Sequence, residues 1–257
     1  MSDYTTLMAS LAPRAWWRCG DAAGAAQDAS GNARHMSTFA GCTYGVGGAL
    51  AAAESNNAIS AAGAGYQRMA SSDGNLDFAY NANFTITGWV KWTGQINAGA
   101  IVTKFNTGTG YPYDIFTENA VSARLGFRRY DSTVNPIAYS DAVLNDNAWH
   151  FFAARKSGGA GGLLELMIDG AVQISNSTDT TTGTTTNAAF VSMLAAQSAS
   201  WFMTGAVDEI AIFGSALNWG QCAAIYTLGK VGLTPKTLAG RGVFHNDHAL
   251  RPQRFYW

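Results

Sequence analysis

Phe84-Thr-Ile-Thr-Gly-Trp-Val-Lys-Trp92 alternates in character along its length. Phe84, Ile86, Val90 and Trp92 share one face at a period of two, with Thr85, Thr87, Trp89 and Lys91 on the other. β-branched and aromatic residues in this order make a half-buried strand whose apolar face needs a second sheet. A sandwich is therefore expected, with this strand near its centre.

Working downstream, residues 101–105, 113–117, 123–130, 149–156 and 163–168 have strand composition and are separated by Gly, Asn, Asp or Pro clusters. Asp169-Gly170 stands between 164–168 and 171–175, a dipeptide suited to a two-residue hairpin turn. Residues 190–195, 201–204 and 205–213 resume the strands. Upstream, 14–19 reads as a first strand, with 39–44, 58–60 and 66–70 as weaker ones. Asp3 caps a short helix over 4–11 that Pro13 ends, and Asn218 caps another to about residue 228. The Thr-rich segment 177–186 has almost nothing to bury and is expected to be an exposed loop. Many strands with almost no helix between them predict an all-β fold, a two-sheet antiparallel jelly-roll sandwich with short N-terminal and C-terminal helices.

The chain has 257 residues, enough for one large sandwich domain, assigned to 1–229. Residues 230–257 form a basic, aromatic-tipped extension: Lys230, Lys236, Arg241, Arg251 and Arg254 accompany one acid, Asp247, before Phe255-Tyr256-Trp257. Such a segment either packs back on the domain or anchors on another chain. Only 13% of residues are charged and the net charge is -1, so no overall field draws the molecule to nucleic acid or anionic lipid. No apolar run approaches a membrane span, and the opening Met-Ser-Asp-Tyr lacks the basic start and apolar core of a signal peptide. The expectation is a chain kept in a cytosol until released. Cys19, Cys42 and Cys222 are odd in number and far apart, which fits three structural thiols, or a Cys19–Cys42 bridge, better than a zinc site.

Catalytic signatures are lacking. Glu165 and Asp169 share a face, but Asp169 belongs to the hairpin turn and neither has the partner that glycoside hydrolysis requires. His35, His150, His245 and His248 show no metal spacing, and there is no Gly-x-Ser-x-Gly elbow or phosphate loop. The chain is expected not to be an enzyme. Strand alternation places Asp208 with Ile210 and Ile212, turning a carboxylate inward, where it must be hydrogen-bonded, paired or on a metal. Asp21 and Asp28 can supply further oxygens to a hard cation. Sugar rings stack on exposed aromatics, for which Trp89, Trp92, Tyr111, Tyr113, Trp149 and Trp201 are candidates. Tyr111-Pro-Tyr113, following Gly108-Thr-Gly110, is the least core-like cluster.

Several segments together resemble the laminin G-like, concanavalin A-like jelly-roll family over roughly residues 1–229. They are Arg14-Ala-Trp-Trp-Arg-Cys-Gly-Asp21, Asp28-Ala-Ser-Gly-Asn-Ala-Arg-His35, Phe84-Thr-Ile-Thr-Gly-Trp-Val-Lys91, Asn147-Ala-Trp-His-Phe-Phe-Ala153, Leu166-Met-Ile-Asp-Gly170 and Gly205-Ala-Val-Asp-Glu-Ile-Ala-Ile-Phe213. The resemblance implies two curved sheets, the concave one serving sugar or protein binding, and a structural Ca2+ in many members, for which Asp28 and Asp208 are the positions. Short unsignalled chains of this kind also resemble virion structural proteins of tailed bacteriophages. By that analogy the expected role is a non-enzymatic virion component, assembled in the host cytoplasm. Its partners would be other virion proteins and further copies of itself, with Arg251, Arg254, Phe255, Tyr256 and Trp257 docking on neighbours. The alternative is a carbohydrate-binding adhesin using the concave sheet, with Trp89, Tyr111 and Tyr113 facing the glycan. Neither nucleic acid nor membrane is an expected partner.

Overall fold

The computed structural model describes residues 3–51, 57–94, 97–119, 122–197 and 200–231. In chain order the elements are α1 (Asp3–Ser10), β1 (Ala15–Trp17), β2 (Met36–Gly47), β3 (Asn57–Met69), β4 (Phe84–Trp92), β5 (Gly99–Thr103), β6 (Tyr111–Thr117) and β7 (Leu125–Tyr130). There follow β8 (Ile137–Tyr139), β9 (His150–Ser157), β10 (Leu163–Ile168), β11 (Ala171–Val172), β12 (Ser177–Thr178), β13 (Ser192–Met193), β14 (Thr204–Phe213) and α2 (Trp219–Val231). The weak candidates 58–60 and 66–70 are one strand, β3. Of the expected extension, only its first two residues are described; Arg251, Arg254, Phe255, Tyr256 and Trp257 lie outside the described residues.

Every pairing is antiparallel, in the order β11-β10-β9-β4-β14-β3-β13-β5-β6-β7-β8. The sheet curls so that β5 to β8 face β4, β9, β10 and β14 across a shared core, which makes two layers from one continuous sheet. β3 carries the chain between layers, since Ile59–Ala62 pair with β14 while Gln67 and Arg68 pair with β13. β4 lies between β9 and β14, as its pattern predicts, and sends Phe84, Ile86, Val90 and Trp92 into the core. Asp169 and Gly170 make the β10–β11 turn at φ 49° and 83°, the left-handed geometry this hairpin requires.

Two expectations about the other face of β4 are overturned. Thr85, Thr87 and Trp89 do not meet solvent, because α1 and α2 cover that side in a second apolar cluster with Tyr4, Met8, Trp16, Phe151, Phe213 and Ile225. Trp89 is 3% exposed, with its ring 5.4 Å from Phe151 and 5.8 Å from Tyr226 of α2. The aromatic band on this face is what recruits the helices.

Strand alternation also fails in β14. A bulge shifts register between Asp208 and Ala211, with Glu209 at φ 51°. Asp208 therefore stands opposite Trp89, on the helix-covered side, and not with Ile210 and Ile212.

The Thr-rich segment is largely exposed, as its composition predicts, but three of its residues pin it to the domain. Asp179, Thr181 and Thr185 are buried, and the fully buried Arg129 holds them: its guanidinium reaches Asp179 Oδ2 at 2.6 Å and Thr185 Oγ1 at 3.1 Å. The same group donates to the carbonyls of Phe78, Ala79, Tyr80 and Pro112. Asp131 accepts from the N–H groups of Thr182 and Gly183. Burial alone would raise its pKa, yet these N–H groups and those of Val134 and Thr133 hold it down to about 2. Cys19, Cys42 and Cys222 are all free thiols.

Candidate functional site

The first layer has its outward face under helices, whereas on the outward side of the second a polar row crosses the strands, with Arg68 and Arg128 part-exposed and Thr103, Asp114 and Ser192 fully buried. Arg68 of β3 pairs with Ser192 of β13, Ser192 with Thr103 of β5, Thr103 with Asp114 of β6, and Asp114 with Arg128 of β7. Cross-strand partners share a face, and the intervening Met69, Met193, Tyr113, Ile115 and Phe127 fill the core, so all five polar side chains lie on the opposite side. Four strand spacings of about 4.8 Å give the row a length of roughly 19 Å.

An aromatic band surrounds its Arg128 end. The guanidinium carbon lies 4.5 Å from the ring centroids of Phe116 and Trp201 and 5.9 Å from that of Tyr111. Phe105 packs 4.7 Å from Trp201 and 5.0 Å from Tyr111, with Tyr130 beyond at 5.5 Å. Phe105, Tyr130 and Trp201 are half-buried and keep part of their rings open. Trp201 adopts φ 51° and also lines a pocket of about 520 Å³ with Gly63, Gly94, Asn97, Ala98, Phe202 and Thr204.

The row holds unspent hydrogen-bonding capacity. Arg128 Nε donates to Asp114 Oδ2 at 2.9 Å, while Asp114 Oδ1, Ser192 Oγ and Arg68 Nε are buried without a hydrogen-bond partner. Burial pushes the Asp114 carboxyl up from its ordinary value, and the Arg128 charge opposes that rise. Buried polar atoms left unsatisfied are costly in a folded chain.

Most residues anticipated for a site serve the fold. Tyr113 is fully buried in the core with Ile115, 6.0 Å from Phe78 and 5.9 Å from Phe84, whereas a register shift between Tyr111 and Asp114 sets Tyr111 apart from this face. Tyr111 keeps a place at the site, although only 3% exposed, as a wall of the aromatic band. Trp89 lies on the other layer beneath α2. Trp92 is core, and Trp149 sits beside Lys91 at 5.0 Å. Of the six stacking candidates, Trp201 and Tyr111 reach the site.

Asp28 and Asp208 are each held by backbone N–H groups. Asp28 accepts from the N–H groups of Trp16, Ser30 and Arg34 and from the Ser30 hydroxyl. Burial disfavours its charge, but these N–H groups outweigh it and hold the carboxyl below the usual range. Asp208 accepts from Ala49 N at 2.8 Å. Among the described residues no three His, Cys, Asp or Glu side chains group together, so a calcium ion at either acid would draw on carbonyl oxygens and stands as a proposal. Arg68, Thr103, Asp114, Arg128 and Ser192 were missed because register, not motif, assembles them. The available signal was Asp114 in an otherwise apolar strand.

The curled antiparallel sheet, with two helices on one layer and an aromatic band on the other, defines a jelly-roll domain. The family described as the concanavalin A-like lectin/glucanases superfamily matches residues 63–223, and the chain belongs to it. The fold is similar to the binding domain of Paraclostridial Mosquitocidal Protein 1, at 15% identity and a TM-score of 0.62, over 78% of this chain and 49% of that one. It is also similar to the receptor-binding domain of botulinum neurotoxin type G, at 12% identity and a TM-score of 0.58, over 84% and 51%. A third is a structure of botulinum neurotoxin type C, whose cell entry is described as dependent on interaction with two ganglioside molecules. Its identity is 11% and its TM-score 0.56, over 84% and 51%. The chain spans about half the length of these structures, and at such identities the likeness is one of fold. No curated protein matches. No helix among the described residues is long and apolar enough to cross a membrane.

Proposed function

We propose that the chain is a carbohydrate-binding module that takes a glycan on the outward face of β3, β13, β5, β6 and β7. The observation that carries this reading is the half-open aromatic band of Phe105, Tyr130 and Trp201 beside Arg128, with the pocket that Trp201 lines. Trp201 offers a ring for the apolar face of a sugar, and the part-exposed Arg128 and Arg68 offer donors for polar substituents. Membership of a family that includes lectins, and the ganglioside dependence of the type C neurotoxin, support the reading. The row has a single carboxylate, already engaged by Arg128, whereas glycoside hydrolysis uses two. Binding without catalysis is therefore proposed. Assembly into a virion remains a separate proposal that rests on the sequence of residues 230–257.

A glycan array followed by calorimetry tests the site. Trp201→Ala should weaken binding roughly tenfold or more, the scale of one lost contact hot spot. Trp89→Ala should lower stability by about 3–5 kcal/mol through the cavity it opens, and leave the affinity of the folded fraction unchanged. Absence of binding across the array overturns the reading.

A further inference from the structure

Lys104 follows β5 and is fully buried. Its Nζ meets both oxygens of Asn187, the side-chain Oδ1 at 3.1 Å and the main-chain O at 2.6 Å, and lies 3.3 Å from Asp77 Oδ2. The Ser72 hydroxyl stands at 3.2 Å. Lys156 is also fully buried, but among the described residues it meets main-chain carbonyls and, at 3.7 Å, the Asp179 carboxylate. An amine, a carboxamide and a carboxyl come together at Lys104 alone among the described lysines.

The Asn187 amide is held in one orientation. Nδ2 donates to the carbonyls of Lys104 and Gly110 at 3.0 and 2.8 Å, while Oδ1 accepts from Ala189 N at 2.8 Å. Asp77 Oδ2 accepts from Asn187 N at 3.0 Å, and Asp77 Oδ1 is buried without a hydrogen-bond partner. Burial pushes the Lys104 amine down and the Asp77 carboxyl up from their ordinary values, against the attraction between the two charges. A desolvated pair of this kind can keep its proton on the carboxyl, which leaves the amine a free lone pair and makes it a nucleophile.

We propose that Lys104 and Asn187 join in an intramolecular isopeptide bond, with Asp77 relaying the protons. Nζ attacks Cγ of Asn187, and the Ala189 N–H steadies the negative charge that develops on Oδ1. Asp77 gives its proton to Nδ2 and takes one from Nζ, so it ends as it began. The bond from Cγ to Nζ forms, the bond from Cγ to Nδ2 breaks, and ammonia leaves; neither oxidant nor reductant is needed. The product ties the end of β5 to the residue just beyond the Thr-rich segment, 83 positions away. This chemistry is independent of glycan binding.

Mass spectrometry of the purified full chain, after prolonged incubation, tests the proposal. The parent should weigh about 17 Da less than its sequence requires, the mass of the ammonia lost. Tryptic mapping should return one branched peptide joining Lys104 to Asn187, with no cleavage after Lys104. Lys104→Met and Asn187→Ala should each keep the full mass. Asp77→Asn retains both joined residues and should stay unlinked, with circular dichroism showing that it is folded. A parent of full mass overturns the cross-link. So does an ammonia loss that persists in Lys104→Met, which marks a cyclic imide at Asn187 instead. Linkage that survives in Asp77→Asn overturns the relay. Should a variant fail to fold, the peptide map of the parent still decides whether the bond exists.

Discussion

The indole Nε1 of Trp16 donates to Glu209 Oε2 at 2.6 Å, and Glu209 makes this contact from a left-handed φ of 51°. Glu209 is the bulged residue of β14, and Arg18 Nε adds a second bond to its other oxygen at 2.9 Å. A residue other than glycine in that conformation is strained, so the carboxylate's bonds must outweigh the strain. Glu209→Ala would leave the buried indole and Arg18 short of an acceptor. A loss of about 3 kcal/mol is expected in urea unfolding, with Glu209→Gln losing less because an amide oxygen still accepts from Trp16.

The neighbouring Asp208 has the opposite sign. Burial first, and the Glu209 charge second, push its carboxyl well above the usual range. A carboxyl raised in the folded state favours folding only while protonated. That contribution is present below the unfolded value near 3.8 and is lost as pH climbs through the folded one. Asp208→Asn should therefore melt at a higher temperature than the parent at neutral pH, with the gap closing in acid. A chelator-dependent melting temperature in the parent, abolished in Asp208→Asn, would instead return the calcium ion to this acid.

His150 bridges two acids, with Nδ1 2.7 Å from Asp169 Oδ2 and Nε2 3.0 Å from Asp146 Oδ1. The Asp169 bond leads the causes that raise the imidazole's pKa above 6.5. Its contribution is fully present below that unfolded value and disappears as pH rises through the folded one. Melting temperature should decline over that window, and His150→Gln should flatten the decline. A profile that is unaltered in the variant counts against the bridge.

Arg129→Met removes six donated bonds from a site with no solvent to replace them. Breaking a buried ion pair from one side costs about 3–5 kcal/mol, and here it leaves Asp179 with only the more distant Lys156 Nζ, 3.7 Å away, as a counter-charge. Limited proteolysis should find faster cleavage within residues 177–186, a stretch the parent anchors through Asp179, Thr181 and Thr185.

Local pattern made the fold legible: β4, the Asp169-Gly170 turn, the strands after residue 149 and both helices follow from periodicity and capping. The burial of Asp179, Thr181 and Thr185 within the Thr-rich segment was not legible, because it depends on Arg129 and Asp131, which lie about 50 positions away and carry no local signature. Trp89 was misjudged for a related reason. A polar strand face and a helix-covered one look alike when Thr supplies the small residues. Arg68 and Arg128 become neighbours of Ser192 and Asp114 only through strand register, which depends on how β3 crosses between layers. Trp201 was visible as a candidate aromatic, and its place beside Arg128 was not.

The position of β14 bears on synthesis. It pairs with β1, β3 and β4, joining Trp16 to Ala211 across nearly the whole domain. A nascent chain emerging from the ribosome cannot complete the first layer until residue 213 is free of the exit tunnel. Until then the aromatic faces of β1, β4 and β9 have no stable covering. High contact order thus makes folding late, and leaves a long window in which a chaperone can hold the unfinished chain.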